Sequence, residues 1–242
     1  MTQQAILEEA RRELAGAEAP EVLAWADTRF GAAAAIASSF GVEDMVLIDL
    51  AVRHAPRLRV FTLDTGRLHP ETYQAMEDVR RRYGIAIESW FPERGAVERL
   101  EGEKGFFSFR RSVDDRKECC AIRKLEPLSR ALAGRRAWVT GLRREQSPTR
   151  ADVQTVEIDR GNGGVLKLNP LADWTEAQVW HYARENRVPV NPLHAQGYPS
   201  IGCAPCTRAV APGEDVRAGR WWWEQPEHKE CGLHARADRV GA

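Results

Sequence analysis

The sequence predicts an α/β protein with a doubly wound, mostly parallel sheet and an irregular C-terminal tail. Three observations predict it. Apolar runs of strand length alternate with segments of helical period, and the first such run, AAAAIASS, is short enough for a buried strand. Strands that alternate with helices imply parallel pairing through right-handed crossovers. From Val188 onward Pro and Gly dominate and periodicity fades, so something other than packed secondary structure is expected to hold that region.

The elements follow in order. MTQQAILEEARREL reads as an amphipathic helix rather than a signal peptide, and PEVLAWADTRF as a second helix. The strand AAAAIASS leads into the helix GVEDMVLIDLAVRHA. Then come the strand RLRVFTLDT, the helix HPETYQAMEDVRRRYG and the strand IAIESWF. The helix CAIRKLEPLSRALAG precedes the strand RAWVTGL. TVEIDRGNGGVLKLNPL predicts a short hairpin around Gly161 to Gly164, followed by the helix WTEAQVWHYARENR.

The chain has 242 residues, 43% of them hydrophobic, which suits one compact soluble domain. Its 35 basic and 35 acidic side chains balance, which argues against a general nucleic-acid binder, because phosphate-backbone affinity needs a surplus of Lys and Arg. No apolar run reaches the roughly 18 residues of a membrane span, and a cytoplasmic location is expected.

Ligands bind open α/β sheets at the carboxyl ends of strands, and three such ends carry polar loops: SSFGVED, LDTGRLHPETY and GLRREQSPTR. In the first, Ser38, Ser39 and Gly41 offer hydroxyls and backbone N–H groups to a phosphate at a helix N-terminus, although a tight turn with a capping serine reads the same way. In the second, Leu63, Asp64, Thr65 and Gly66 stand at a strand end before Pro70 starts a helix. In the third, Arg143 and Arg144 follow a glycine and suit an anion or an ordinary solvated charge run.

The cysteines are Cys119, Cys120, Cys203, Cys206 and Cys231. In a reducing compartment such a set points to metal or catalysis before disulfides. Cys119 and Cys120 on a strand would face opposite ways, so a helix start is expected, with Lys124 one turn beyond Cys120. Cys203 and Cys206 add a CxxC pair. Zinc on four thiolates and a redox CxxC are the alternatives to an iron–sulfur cubane, which accepts neighbouring thiolates that would crowd a single tetrahedral ion. Cys231 stands apart in KECGLH, where Lys229 and His234 favour its thiolate and suit a nucleophile, although a harmless thiol on a loose tail reads the same way. Trp221, Trp222 and Trp223 are read as anchors to the core.

SSFGVED, LDTGRLHPETY, RKECCAIRKLEPL, TGLRREQS, IGCAPCTR and ECGLH occur in the order found in the sulfonucleotide reductases. The chain resembles their iron–sulfur branch, the bacterial assimilatory adenylyl-sulfate (APS) reductases. The resemblance runs from about Ala35 to His234 and implies several things. The fold would be adenine-nucleotide-hydrolase-like and homo-oligomeric. The reaction would convert APS to sulfite and AMP with electrons from thioredoxin. A [4Fe-4S] cluster would sit on Cys119, Cys120, Cys203 and Cys206, and Cys231 would attack the sulfate sulfur. Lys124, Arg217, Arg220 and His234 are similar to the family's cations around sulfate and phosphate. Residues 207–242 would form a mobile catalytic tail on a single domain. The rivals are a reductase of the 3′-phosphorylated substrate PAPS, whose branch generally lacks the four cysteines, an ATP-dependent adenylating or tRNA-thiolating enzyme, and a zinc-stapled nucleotide-binding protein. SSFGVED also departs from the SGGxDS loop of the ATP-pyrophosphatase relatives, which argues against pyrophosphate cleavage.

Overall fold

The computed structural model describes residues 2–225, 232 and 233. Strands β1 (Ala34–Ala37), β2 (Arg59–Leu63), β3 (Ile87–Trp90), β4 (Ala137–Val139), β5 (Val156–Asp159) and β6 (Val165–Leu168) form one sheet in the order β3-β2-β1-β4-β6-β5. All pairings are parallel except β5 with β6, which form a hairpin closed by Gly163 and Gly164 at φ 70° and 73°. The positive φ of both residues is why glycines occupy that turn.

The period of two along each strand sorts the core into two faces. Ala34, Ile36, Val60, Ala137, Val139 and Leu166 pack under helices α1 (Gln3–Glu13), α2 (Ala19–Phe30), α3 (Val42–His54), α4 (Pro70–Tyr83) and, further along the chain, Glu176–Glu185. Ala35, Phe61 and Trp138 face the opposite way, against Leu128, Ala131 and Leu132. Both faces are covered, as the apolar runs require.

Helix ends obey local chemistry. Pro70 opens α4, and Gly84 closes it in the left-handed conformation at φ 66°. Glu43 and Asp44 sit in the first turn of α3, with Arg53 and His54 in its last. Helix α5 (Arg94–Lys104) lies where the sequence gives little periodic signal, because Leu100 is its one buried residue.

The segment expected as one helix from Cys120 is instead three pieces. Helix α6 (Val113–Cys120) ends at the cysteine pair, a π-helical turn covers Ala121–Leu125, and α7 (Glu126–Leu132) follows. The helix start lies at Ser112, whose hydroxyl accepts from the Asp115 N–H at 3.0 Å, with Asp114 and Asp115 in the first turn. The cysteine pair therefore lies within a helical stretch that begins at Val113, just before its π turn, rather than at a helix start. After α8 (Glu176–Glu185) the described residues form two short 3₁₀ turns and one isolated bridge, Thr207 with Arg220, in keeping with the weak periodicity there.

Candidate active site

The carboxyl ends of β1, β2 and β4 open onto a cavity of about 630 Å³, in the size range of small-molecule sites. Ser38, Ser39, Gly41, Leu63, Thr65 and Arg143 line it as the loops predict, together with Lys124, Arg217 and Arg220. The β1 loop is shaped from within. Ser39 donates both its N–H (2.6 Å) and its hydroxyl (2.9 Å) to Asp44, and the Ser38 hydroxyl accepts from the Phe40 N–H at 3.1 Å. Those two amides are thus turned onto side chains of the loop itself. Phe40 holds φ 60°, a left-handed value that costs a non-glycine residue about 1–2 kcal/mol. Its ring is fully buried, and burying a phenylalanine contributes about 1.5–3 kcal/mol, enough to offset the strain. Gly141 lets the β4 loop close on this one, since a β-carbon there would stand 2.6 Å from Asp44 Oδ1 and 2.9 Å from Glu43 Cβ.

Burial pushes the Asp44 carboxyl up to about 6, against the lowering effect of the Ser39 hydrogen bonds. The folded value exceeds the ordinary 3.8, so the fold favours the neutral acid. That contribution is complete below the unfolded value and is lost as pH rises through the folded one, at a cost of about 3 kcal/mol. Urea unfolding of wild type and Asp44→Asn from about pH 4 to pH 7 should give a flatter profile for the variant. Parallel profiles would place the pH dependence elsewhere.

Arg143 lines the cavity with its charge already shared. It donates to Glu43 Oε1 at 2.9 and 3.1 Å and to Glu145 at 3.1 Å, while Gln146 also donates to Glu43 at 2.9 Å. Three expected site residues turn away from the cavity. Asp64 accepts from the Gly66 N–H (2.9 Å) and the Tyr73 hydroxyl (3.0 Å), which makes it the brace of its own loop. Gly66, at φ 71°, packs under Arg123. Arg144 donates to the Val153 carbonyl at 2.8 Å and pairs with Asp173.

A second, smaller cavity lies beside the first. Cys119, Cys120, Cys203 and Cys206 all line it, none of them in a disulfide, with Arg67, Arg116 and Arg123 around them. The last turn of α6 brings the first pair, and a 3₁₀ turn at Ala204–Cys206 brings the second. Thr65 joins the two cavities' walls through a 3.2 Å contact between its hydroxyl and Cys203 Sγ. Lys124, Cys203, Arg220 and Trp221 line both cavities.

The thiols feel one another. Burial first, then Cys203, Cys120 and Cys119, pushes the Cys206 thiol up to about 12; burial also raises Cys119, opposed by Arg123 and Arg67. The wide π turn directs Arg123 back across the site, where it donates to the Thr65 carbonyl (2.7 Å) and to Glu101 (2.5 Å). Among the described residues, the buried Nε of Arg123 and Nε1 of Trp221 have no hydrogen-bond partner. Four soft thiols facing one cavity, with two such N–H donors at its wall, fit an iron–sulfur group. No three His, Cys, Asp or Glu side chains among the described residues are grouped to hold a metal ion.

The segment behind the thiols is held by Arg116. Its side chain is fully buried and donates to both oxygens of Glu224 at 2.9 Å, and its guanidinium stacks 4.8 Å from the Trp221 ring. Arg220 stacks at 4.6 Å on the same ring. Trp221 is buried and Trp223 packs on Phe109, as anchors should, whereas Trp222 is 38% exposed. Cys231 and His234 lie outside the described residues. Sequence reasoning passed over Arg116 and Arg123, which lie in or beside the cysteine motif, and Glu43, Asp44 and Glu224. Acidic partners buried beside cations leave no periodic signal.

The model of the phosphoadenosine phosphosulfate reductase domain matches residues 33–209. Adenosine 5'-phosphosulfate reductase of Allochromatium vinosum is 58% identical over 200 residues, covering 83% of this chain and 78% of that protein. The probable chloroplastic 5'-adenylylsulfate reductase 1 of rice is 51% identical over 92% of this chain, which spans 48% of the plant protein. Among solved structures, phosphoadenylyl-sulfate (PAPS) reductase from Candida auris, in a phosphate complex, superposes with a TM-score of 0.71 at 29% identity over 87% of this chain and 98% of that one. Yeast FAD synthetase in complex with FAD, at a TM-score of 0.55 and 14% identity over 86% of this chain and 69% of that one, shares the fold, which is adenine-nucleotide-hydrolase-like. By motif order, sheet topology and similarity over most of its length, the chain belongs to the phosphoadenosine phosphosulfate reductase domain family, the sulfonucleotide reductases.

Proposed function

We propose that this protein is an APS reductase of sulfate assimilation, which converts adenylyl sulfate to sulfite and AMP with a dithiol protein of the thioredoxin class as reductant. One observation carries the reading: a nucleotide-sized cavity and a four-thiol cavity share Lys124, Cys203, Arg220 and Trp221 as common wall. The relatives named for the same nucleotide support it.

In this reading Lys124, Arg217 and Arg220 neutralise the substrate's sulfate and phosphate, which makes AMP a good leaving group. The Cys231 thiolate attacks the sulfur, a sulfur–sulfur bond forms, and the bond from sulfur to the bridging oxygen breaks, releasing AMP with the electron pair. A thiolate of the reductant then attacks Cys231 Sγ, and sulfite leaves with the pair of the broken sulfur–sulfur bond. The reductant's second thiol resolves the mixed disulfide, so the dithiol supplies both electrons and Cys231 returns as a thiolate. His234 belongs to the cationic set around the reacting group. Cys119, Cys120, Cys203 and Cys206 would hold a [4Fe-4S] cluster. When bound it supplies a compact anionic group that ties the CxxC loop to α6 and tunes the field beside Lys124. The protein would act in the cytoplasm as a homo-oligomer of one domain; the tail expected to be mobile from about residue 207 is anchored as far as Glu224 by buried Trp221 and by the ion pair with Arg116. Among the described residues no helix is long and apolar enough to cross a membrane.

Incubation with sulfur-labelled APS in the absence of reductant tests the proposal. Label is expected on Cys231, one per chain, and a dithiol should release it as sulfite. Labelled PAPS should transfer poorly. A Cys231→Ser protein that still produced sulfite at the normal rate would end the scheme, and consumption of ATP would favour the adenylating alternative.

A further inference from the structure

The last described residues of the chain, Gly232 and Leu233, return to the nucleotide cavity. Leu233 is half-buried and packs on the cluster of Ala35, Phe61, Leu128 and Trp138 while lining the cavity itself. Asn162, in the turn of the β5–β6 hairpin, reaches its backbone and donates to the Leu233 carbonyl at 3.5 Å. Gly232 lies over Leu125, where a β-carbon would stand 3.6 Å from Leu125 Cδ1, and its φ of +82° is one that favours glycine. Leu125 closes the same π turn that carries Lys124.

We propose that Leu233 is the anchor by which the tail presents its sulfur nucleophile to the nucleotide, with Asn162 and Leu125 completing the seat. The inference rests on the reading of Cys231 above and makes Leu233 and Asn162 positioning residues for sulfur transfer. Cys231 is joined to Gly232 by one peptide bond, so a side chain seated at position 233 restricts where that sulfur goes. The seat is weak by construction. A half-buried leucine and one hydrogen bond at the outer limit of length hold positions 232 and 233 against the cavity wall.

The test uses the full-length, iron-loaded enzyme and three readouts. They are the single-turnover rate of label transfer to Cys231 at saturating APS, the affinity for AMP by equilibrium binding, and the rate at which iodoacetamide alkylates Cys231 in the AMP complex. Leu233→Ala is expected to slow transfer about tenfold and to speed alkylation by a similar factor, the population shift expected from truncating a half-buried leucine. Its AMP affinity should stay within about twofold of wild type, a loss confined to the transfer step. Leu233→Met should restore both rates to within about threefold, since methionine replaces leucine with little loss of volume. Wild-type transfer and alkylation rates in Leu233→Ala would overturn the proposal. So would a loss of AMP affinity as large as the loss of rate, which would make Leu233 part of the nucleotide pocket. If wild type gains no label on Cys231 while alkylation still responds to Leu233→Ala, the anchor stands and the assigned chemistry falls.

Discussion

Replacing Glu224 by alanine is expected to cost about 3–5 kcal/mol of stability, the usual penalty for stranding one partner of a buried ion pair. Arg116 has no exposed surface and the Glu224 side chain only 4%, so the variant would leave the buried guanidinium beside Cys120 without its carboxylate. For a chain of this size that corresponds to a drop of about 10 °C in melting temperature. Glu224→Gln keeps the shape and one acceptor and should cost clearly less. Arg116→Met combined with Glu224→Leu removes both charges and should recover most of the loss, because a well-packed apolar pair commonly matches a buried salt bridge. Thermal unfolding of the four proteins under anaerobic conditions checks the order. Equal melting temperatures for wild type and Glu224→Ala would mean that the Arg116 charge finds another partner. The pair also secures Trp221 against the thiol cavity, so the single variant should lose iron at a lower temperature than wild type.

Cys206→Ala and Lys124→Ala are expected to separate two functions that share one wall. Cys206 is one of four thiols around the smaller cavity, and if these hold the proposed cluster its loss should release the iron and lower sulfite formation at least 100-fold, since even outer partners of metal sites are worth about 10- to 100-fold. Lys124 lines both cavities, but its nitrogen is no ligand for iron. Its replacement should leave iron content near wild type and slow turnover of APS about 100-fold, the scale of removing one preorganised charge from a transition state. Iron and acid-labile sulfide analysis alongside sulfite release distinguishes the two. Loss of iron from Lys124→Ala would make that residue structural, and unimpaired turnover by iron-free Cys206→Ala would detach the four thiols from the reaction.

The alternation of strands and helices and the irregular chain after Val188 were legible because each rests on a local regularity. Apolar runs buried on both faces look the same whatever lies beyond them, as do Pro70 and Gly84 at the ends of α4. The cysteine motif was legible as a set of thiols that share one cavity, but the start of its helix was misread. The cysteine pair ends α6 and a π turn follows, because the helix start signal at Ser112 lies upstream of the pair and a π turn has no sequence period of its own. Helix α5, polar on nearly every side, was invisible for want of a stripe.

By itself the sequence singled out the candidate residues, the four thiols and Lys124, and placed the serine loop after a strand. Only the tertiary structure decided which of them face one another. It turned Asp64 and Arg144 away from the larger cavity onto other partners, handed Arg143 to Glu43, and set the thiol cavity against the larger one through Lys124 and Arg220. The physical reason is that a buried charge must find a counter-charge or a donor wherever the fold supplies one, and residues more than 100 positions apart, such as Arg116 and Glu224, meet only once the sheet has brought their segments together.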